Sequence, residues 1–231
     1  MPLQTARLLE MLQIGESIAG IFDLPAKSLP EPGQYLPTQA LNGRGEALTH
    51  PLFSVAGPAS HNALGPIPSR WQPGDRITCL PPHGNGFHLP TNARRVGLLA
   101  LDDQPIRILP LIGRALAQNA AIAFFFQEQP HPAILDWIPA SVEINALNEL
   151  SKNMDWPDFL AVETNRENLP ELTPLFGSES TLLVGEVLVR TTMPCCGIGE
   201  CGVCAVKTKG GWRHACSDGP VFPLKELLNV A

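Results

Sequence analysis

Five of the six cysteines of this 231-residue chain fall between Cys195 and Cys216. The stretch reads Met193-Pro194-Cys195-Cys196-Gly197-Ile198-Gly199-Glu200-Cys201-Gly202-Val203-Cys204, and eleven residues then separate Cys204 from Cys216. The N-terminus shows no basic segment followed by an apolar core, so no export signal is expected and a cytoplasmic, reducing setting is. There, clustered cysteines read as metal or cofactor ligands before they read as disulfides. Cys196, Cys201, Cys204 and Cys216 give the spacing Cys-x4-Cys-x2-Cys-x11-Cys. Its first part is the spacing of plant-type 2Fe-2S proteins. Four thiolates must converge on two irons, so the loop has to wrap tightly. Gly197, Gly199 and Gly202 permit positive φ there and leave amides free to face sulfur. A structural zinc site usually uses two separated cysteine pairs, which fits one tight glycine loop less well. Cys195 competes with Cys196 as first ligand; the x4 spacing selects Cys196 and leaves Cys195 a free thiol. Cys79, on an expected strand, reads as a core residue.

The rest of the chain has the apolar content for a sizeable core, with 44% hydrophobic residues. A net charge of -6 without a basic run excludes nucleic acid as an expected partner. The longest apolar runs, such as Ala120 to Phe126, are too short to span a bilayer, so no membrane partner is expected either. The 24 prolines favour short strands and loops over long helices. Residues 1–92 alternate short apolar stretches (Ser17 to Phe22, Phe53 to Ala56, Arg76 to Leu80) with turn signals, the pattern of a small barrel or sandwich. Leu3 to Leu12 reads equally well as strand or short helix. In residues 93–177, Val96 to Leu101, the amphipathic Pro110 to Asn119 and Ala121 to Phe126 form a strand-helix-strand pattern expected of a parallel sheet. Val142 to Ile144 and Trp156 to Val162 are candidates for its third and fourth strands. Residues 178–231 open with a strand at Leu182 to Val189, carry the cysteine loop, and close with short strands and a helix within Pro223 to Val230.

The segment from Met193 to Phe222 resembles the C-terminal cluster domain of the electron transfer subunit of class 1B dihydroorotate dehydrogenase. That family shows a Cys-Gly-x-Gly-x-Cys-x-x-Cys loop and ends in Cys-x-Asp-Gly-Pro-Val-Phe, here Cys216-Ser217-Asp218-Gly219-Pro220-Val221-Phe222. Upstream, Pro32-Gly33-Gln34-Tyr35 resembles a Pro-Gly-Gln-Phe segment of the flavin barrel. Gly84-Asn85-Gly86-Phe87 resembles the Gly-Asn-Gly-Phe link toward the nucleotide domain. The resemblance implies a ferredoxin-reductase-like layout: a flavin-domain-like β-barrel (1–92), a small NAD-domain-like α/β module (93–177) and a 2Fe-2S domain (178–231). It implies electron transfer to or from a partner oxidoreductase, such as a dihydroorotate dehydrogenase catalytic subunit in pyrimidine biosynthesis. It also implies FAD in the barrel, for which Phe53, Ser54, Gly84, Asn85 and Gly86 are the candidate residues; Gly84 and Gly86 read equally as turn formers.

Two departures count against flavin and nicotinamide. The flavin strand of the family carries an arginine that pairs with the pyrophosphate. Here His50-Pro51-Leu52-Phe53-Ser54 has none, and histidine is a poor substitute for a permanently charged fork. The phosphate-cradling stretch is shortened to Gly57 through Gln72. A dinucleotide site also needs a glycine-rich turn after the first strand. The residues there are Asp102-Asp103-Gln104-Pro105-Ile106-Arg107, with two carboxylates and no glycine. Asp102 and Asp103 are expected to sit in a solvated turn capping the next helix. NAD binding is therefore not expected, and neither are catalytic residues or appreciable NADH oxidation by the isolated chain. The alternative to an electron carrier is a reductase-fold scaffold or redox sensor that keeps only the cluster.

Overall fold

A computed structural model describes residues 3–41, 48–55, 63–102, 105–127, 130–152, 154–177, 184–194 and 197–230. The first six strands are β1 (Gln4–Ile14), β2 (Ser17–Phe22), β3 (Tyr35–Ala40), β4 (His50–Val55), β5 (Ala63–Gly65) and β6 (Arg76–Cys79). They close into an antiparallel barrel in the order β1-β2-β5-β4-β3-β6. The ambiguous N-terminal stretch is a strand because it serves two neighbours. Gln4 to Arg7 pair with Cys79 to Arg76 of β6, whereas Leu8 to Ile14 pair with Phe22 to Ser17 of β2. The register shifts between Leu8 and Glu10, and such a bulge bends one long strand from one neighbour to the next. Ala6, Leu8, Phe22, Leu36, Leu52, Leu64, Trp71, Ile77 and Cys79 form one buried cluster within this part of the chain. Trp71 meets Phe22 edge to face at 6.3 Å.

The chain continues through β7 (Arg95–Ala100), β8 (Ala121–Phe126), β9 (Val142–Ala146), β10 (Phe159–Asn165), β11 (Gly185–Arg190), β12 (Ala205–Thr208), β13 (Gly211–His214) and β14 (Val221–Pro223). Six of these form a sheet in the order β14-β11-β10-β7-β8-β9, parallel throughout except for β14 at its edge. Helix α1 (Pro110–Ala117) crosses from β7 to β8 and buries Leu111, Ile112 and Ala115. Its first residue is a proline, whose missing N–H costs nothing there. The central strands are buried on both faces, which is why β8 and the start of β10 read as unbroken apolar runs. The candidate third and fourth strands are β9 and β10, and β10 runs on to Asn165.

The expected boundary after residue 177 does not divide this sheet. β11 pairs in parallel with β10, and β14 pairs with β11, although both strands lie in the segment 178–231. Val187, Leu188 and Val189 are fully buried, and a strand apolar on both faces needs cover on both sides. Only the β12–β13 hairpin forms a separate small sheet. The cysteine loop therefore leaves the sheet at Arg190 and returns to it at Val221, fixed at both ends. The closing segment contains a helix at Leu224–Leu227. Among the described residues, no helix is long and apolar enough to cross a membrane.

Candidate metal centre

Cys201 is exposed, while Cys204 and Cys216 are fully buried. Cys195 and Cys196 lie outside the described residues. Cys204 ends the loop and Cys216 follows the hairpin. The Ala215 amide donates to the Cys204 carbonyl at 3.0 Å, and this closes the hairpin base. The two thiols approach within hydrogen-bonding reach. Burial pushes the Cys204 thiol up to about 11, with Cys216 and Cys201 as further charges nearby, opposed by a hydrogen bond from the Cys216 amide. Burial keeps the Cys204 thiol protonated unless a cation replaces the proton, which is the donor chemistry of a thiolate-bound metal. Among the described residues no three His, Cys, Asp or Glu side chains are placed to hold a metal ion, and Cys196, the expected first ligand, lies outside them. Gly197, Gly199 and Gly202 all have positive φ, as the sequence anticipates. At Gly197 an added Cβ would stand 2.9 Å from His83 of the barrel side, so the loop can lie there only without a side chain.

The segment after Cys216 is held by the other candidate residues. The Asn85 amide donates to the Gly219 carbonyl at 2.6 Å, and Asn85 Nδ2 donates to the Asp218 carbonyl at 2.7 Å. A Cβ on Gly84 would lie 2.5 Å from the Gly219 oxygen; one on Gly86 would lie 2.8 Å from the Pro32 oxygen. Tyr35 donates its hydroxyl to the Cys216 carbonyl at 2.7 Å. At the start of the loop, Thr49 donates through its amide and its hydroxyl to the Pro194 carbonyl. Gly84, Asn85 and Gly86 thus make close contacts with the chain's own backbone. Phe53 is also buried, with the Arg107 guanidinium 4.7 Å over its ring and Tyr35 at 5.7 Å; Ser54 is half-buried. Phe53 and these glycines are thus packed against the chain's own residues. Sequence reading missed one nearby cation. Arg70, from the connection between β5 and β6, lies with its Nη2 3.1 Å from His50 Nε2.

In the turn after β7, Asp102 is not solvated. The Asp102 side chain accepts from the Asn165 amide, Asn165 Nδ2 and Asn168 Nδ2 and pairs with Arg190 at 2.8 Å. It is almost fully buried and caps no helix; the residue before α1 is Leu109, without a side-chain cap. Asp103 lies outside the described residues. Glu163, on β10, accepts from the amides of Arg107 and Ile108 and stands 3.7 Å from Arg107 and 3.8 Å from Arg190. Burial pushes the Glu163 carboxyl up against the pull of both arginines, and burial lowers Arg107 to about 10. Two acids and two arginines therefore occupy the carboxyl ends of β7, β10 and β11, where open α/β sheets take their ligands.

Residues 192–228 match the family described as the iron-sulfur cluster binding domain of dihydroorotate dehydrogenase B. This is the segment that carries the cysteines and their barrel contacts. The chain is similar to the dihydroorotate dehydrogenase B electron transfer subunits. It is 27% identical over 188 residues to the subunit of Clostridium acetobutylicum, covering 77% of this chain and 73% of the relative. To that of Clostridium perfringens it is 25% identical over 173 residues, covering 64% and 65%. A shorter match, 47% identical over 35 residues, joins it to the sulfhydrogenase 1 gamma subunit of Pyrococcus furiosus and covers 15% and 12% of the two chains. Among solved structures, an NADH-dependent reduced ferredoxin-NADP oxidoreductase superposes with a TM-score of 0.69 at 18% identity, over 95% of this chain and 88% of the other. The ferredoxin reductase of carbazole 1,9a-dioxygenase gives 0.55 at 10% identity, over 80% and 68%. The fold is thus ferredoxin-reductase-like.

Proposed function

We propose that the chain is an iron-sulfur electron-transfer protein that passes electrons to or from a partner oxidoreductase through a 2Fe-2S cluster on Cys196, Cys201, Cys204 and Cys216. The observation that carries this is the buried Cys204–Cys216 thiol pair beside exposed Cys201, within the segment that matches a cluster-binding family. Bound there, the cluster supplies one-electron transfer. The protein keeps one side of the site dry and the other open. Beside Cys201 in the chain, Ile198 is 65% exposed and Val203 43%. Apolar side chains grouped at an exposed ligand are the kind of surface a redox partner covers. The similarity to dihydroorotate dehydrogenase B subunits makes a catalytic subunit of that class the first partner to try. A cytoplasmic location accords with the reduced thiols the site requires.

A second reading, a cluster-bearing scaffold without flavin, is favoured by one observation. Gly84, Asn85, Gly86 and Phe53 are engaged by the chain's own backbone, Tyr35 and Arg107. We therefore assign no step to flavin or nicotinamide and no catalytic residue to this chain. The test is an anaerobic reductive titration of the purified protein, followed by mixing with an oxidised one-electron acceptor. Electron delivery by the flavin-free protein supports the carrier reading. A cluster that accepts no electron leaves the scaffold reading.

A further inference from the structure

We infer that Tyr35, on the barrel, is a positioning residue for the fourth cysteine of the metal centre. The inference rests on the reading of Cys216 as a cluster ligand. Tyr35 is fully buried, and its hydroxyl donates to the Cys216 carbonyl across 181 residues of sequence. Its ring is fixed from several sides. Phe53 packs against it at 5.7 Å, and its backbone exchanges hydrogen bonds with His83 at 2.8 and 3.2 Å. Gly84 brings the tail close, since a Cβ there would meet both Gly219 and the Tyr35 ring.

Three donors from the barrel side therefore meet three carbonyls of one short segment: Tyr35 Oη at Cys216, Asn85 Nδ2 at Asp218 and the Asn85 amide at Gly219. Within the loop region Cys216 is itself tied to Cys204 through its amide. The hairpin's return is tied through Ala215 to Cys204 and through the Asp218 side chain to the His214 amide, both within the loop region. Tyr35 ties it to a rigid element outside that region. A buried carbonyl needs a partner, so loss of the phenol leaves the Cys216 oxygen orphaned and the ligand free to shift. The phenol also places a partial positive charge at the negative end of a peptide dipole next to a ligating sulfur. Without it the site becomes more negative and harder to reduce. The barrel thus acts as a template for the cluster whether or not it holds a cofactor of its own.

Tyr35→Phe keeps the ring and removes only the donor. In anaerobically purified protein we expect iron release to a chelator to be about fivefold to tenfold faster, as for one buried hydrogen bond of ~1 to 1.4 kcal/mol. We also expect a lower midpoint potential and an altered electron paramagnetic resonance spectrum of the reduced state. Asn85→Ala, which removes the neighbouring Asp218 contact, should shift chelation in the same direction and serves as the readout if Tyr35→Phe does not fold. Trp71→Phe loosens the barrel's other buried cluster, which does not include Cys216, and should leave potential and spectrum unchanged. Wild-type chelation rate, potential and spectrum in Tyr35→Phe overturn the inference. So does an equal potential shift in Trp71→Phe, which would mark general loosening. Wild-type protein without iron and sulfide would instead overturn the assignment of the centre itself.

Discussion

Gly84→Ala tests the docking of the C-terminal tail on the barrel side, and Gly74→Ala is its control. Both glycines have positive φ, +76° and +96°, so alanine at either position costs ~1–2 kcal/mol from backbone conformation alone. Gly74 has nothing within 4 Å of the added carbon. At Gly84 the carbon would stand 2.5 Å from the Gly219 oxygen, 2.9 Å from Pro220 and 3.1 Å from Tyr35. The Gly219 oxygen belongs to a backbone held by Asn85, so it cannot give way without breaking that contact. Overpacking of this kind adds ~1–3 kcal/mol, giving ~2–5 kcal/mol in all. Urea unfolding followed by circular dichroism, with the slope checked for constancy, measures both variants. Iron retention should fall in Gly84→Ala and stay at the wild-type level in Gly74→Ala. Equal destabilisation of the two variants, with iron retained in both, would refute the docking of the tail on Gly84.

Hydrogen bonds from the Arg95 side chain, and then from the Arg94 and Arg95 amides, hold the Asp158 carboxyl below its ordinary value. The associated stability is present above the unfolded value of ~3.9 and lost as pH falls through the lower folded value. Asp158→Asn should therefore flatten the acid limb of an unfolding-versus-pH curve and cost no more than ~1 kcal/mol at neutral pH, because the pair is largely exposed. Burial, with Asp23 adding to it, pushes the Cys79 thiol up to about 12, so mass spectrometry after alkylation of the metal-free protein at pH 8 in native conditions should find Cys201 modified and Cys79 spared. Trp71→Ala empties a fully buried position beside Phe22 and should cost ~3–5 kcal/mol in urea unfolding.

The candidate ligands stand out in the sequence because they are close together and their spacing is chemical. Cys201 and Cys204 sit on one loop, and the glycines that shape it lie between the ligands. The parallel strands were legible for a related reason: burial on both faces leaves an uninterrupted apolar run such as Ala121 to Phe126. What could not be read depends on distant pairing. Nothing in Gly185 to Arg190 tells whether that strand belongs with the cysteines that follow it or with β10. Asp102 was read as solvated because its partners, Asn165, Asn168 and Arg190, arrive from the ends of other strands. Gly84, Asn85 and Gly86 stood out as a motif, yet the segment they grip lies over 130 residues away. Tyr35 drew attention only as the last residue of Pro32-Gly33-Gln34-Tyr35, because a phenol gives no sign in sequence of the carbonyl it will meet.

The central claim is that four cysteines hold a redox-active iron-sulfur cluster. It is tested most directly by iron, acid-labile sulfide, zinc and flavin analysis of anaerobically purified protein, with the absorbance followed through reduction and reoxidation and Cys216→Ser measured in parallel. The account predicts about two irons and two sulfides per wild-type chain, reversible bleaching on reduction, and loss of both signals in Cys216→Ser. One zinc per chain without sulfide, or a Cys216→Ser protein that keeps the full wild-type cluster, would contradict it.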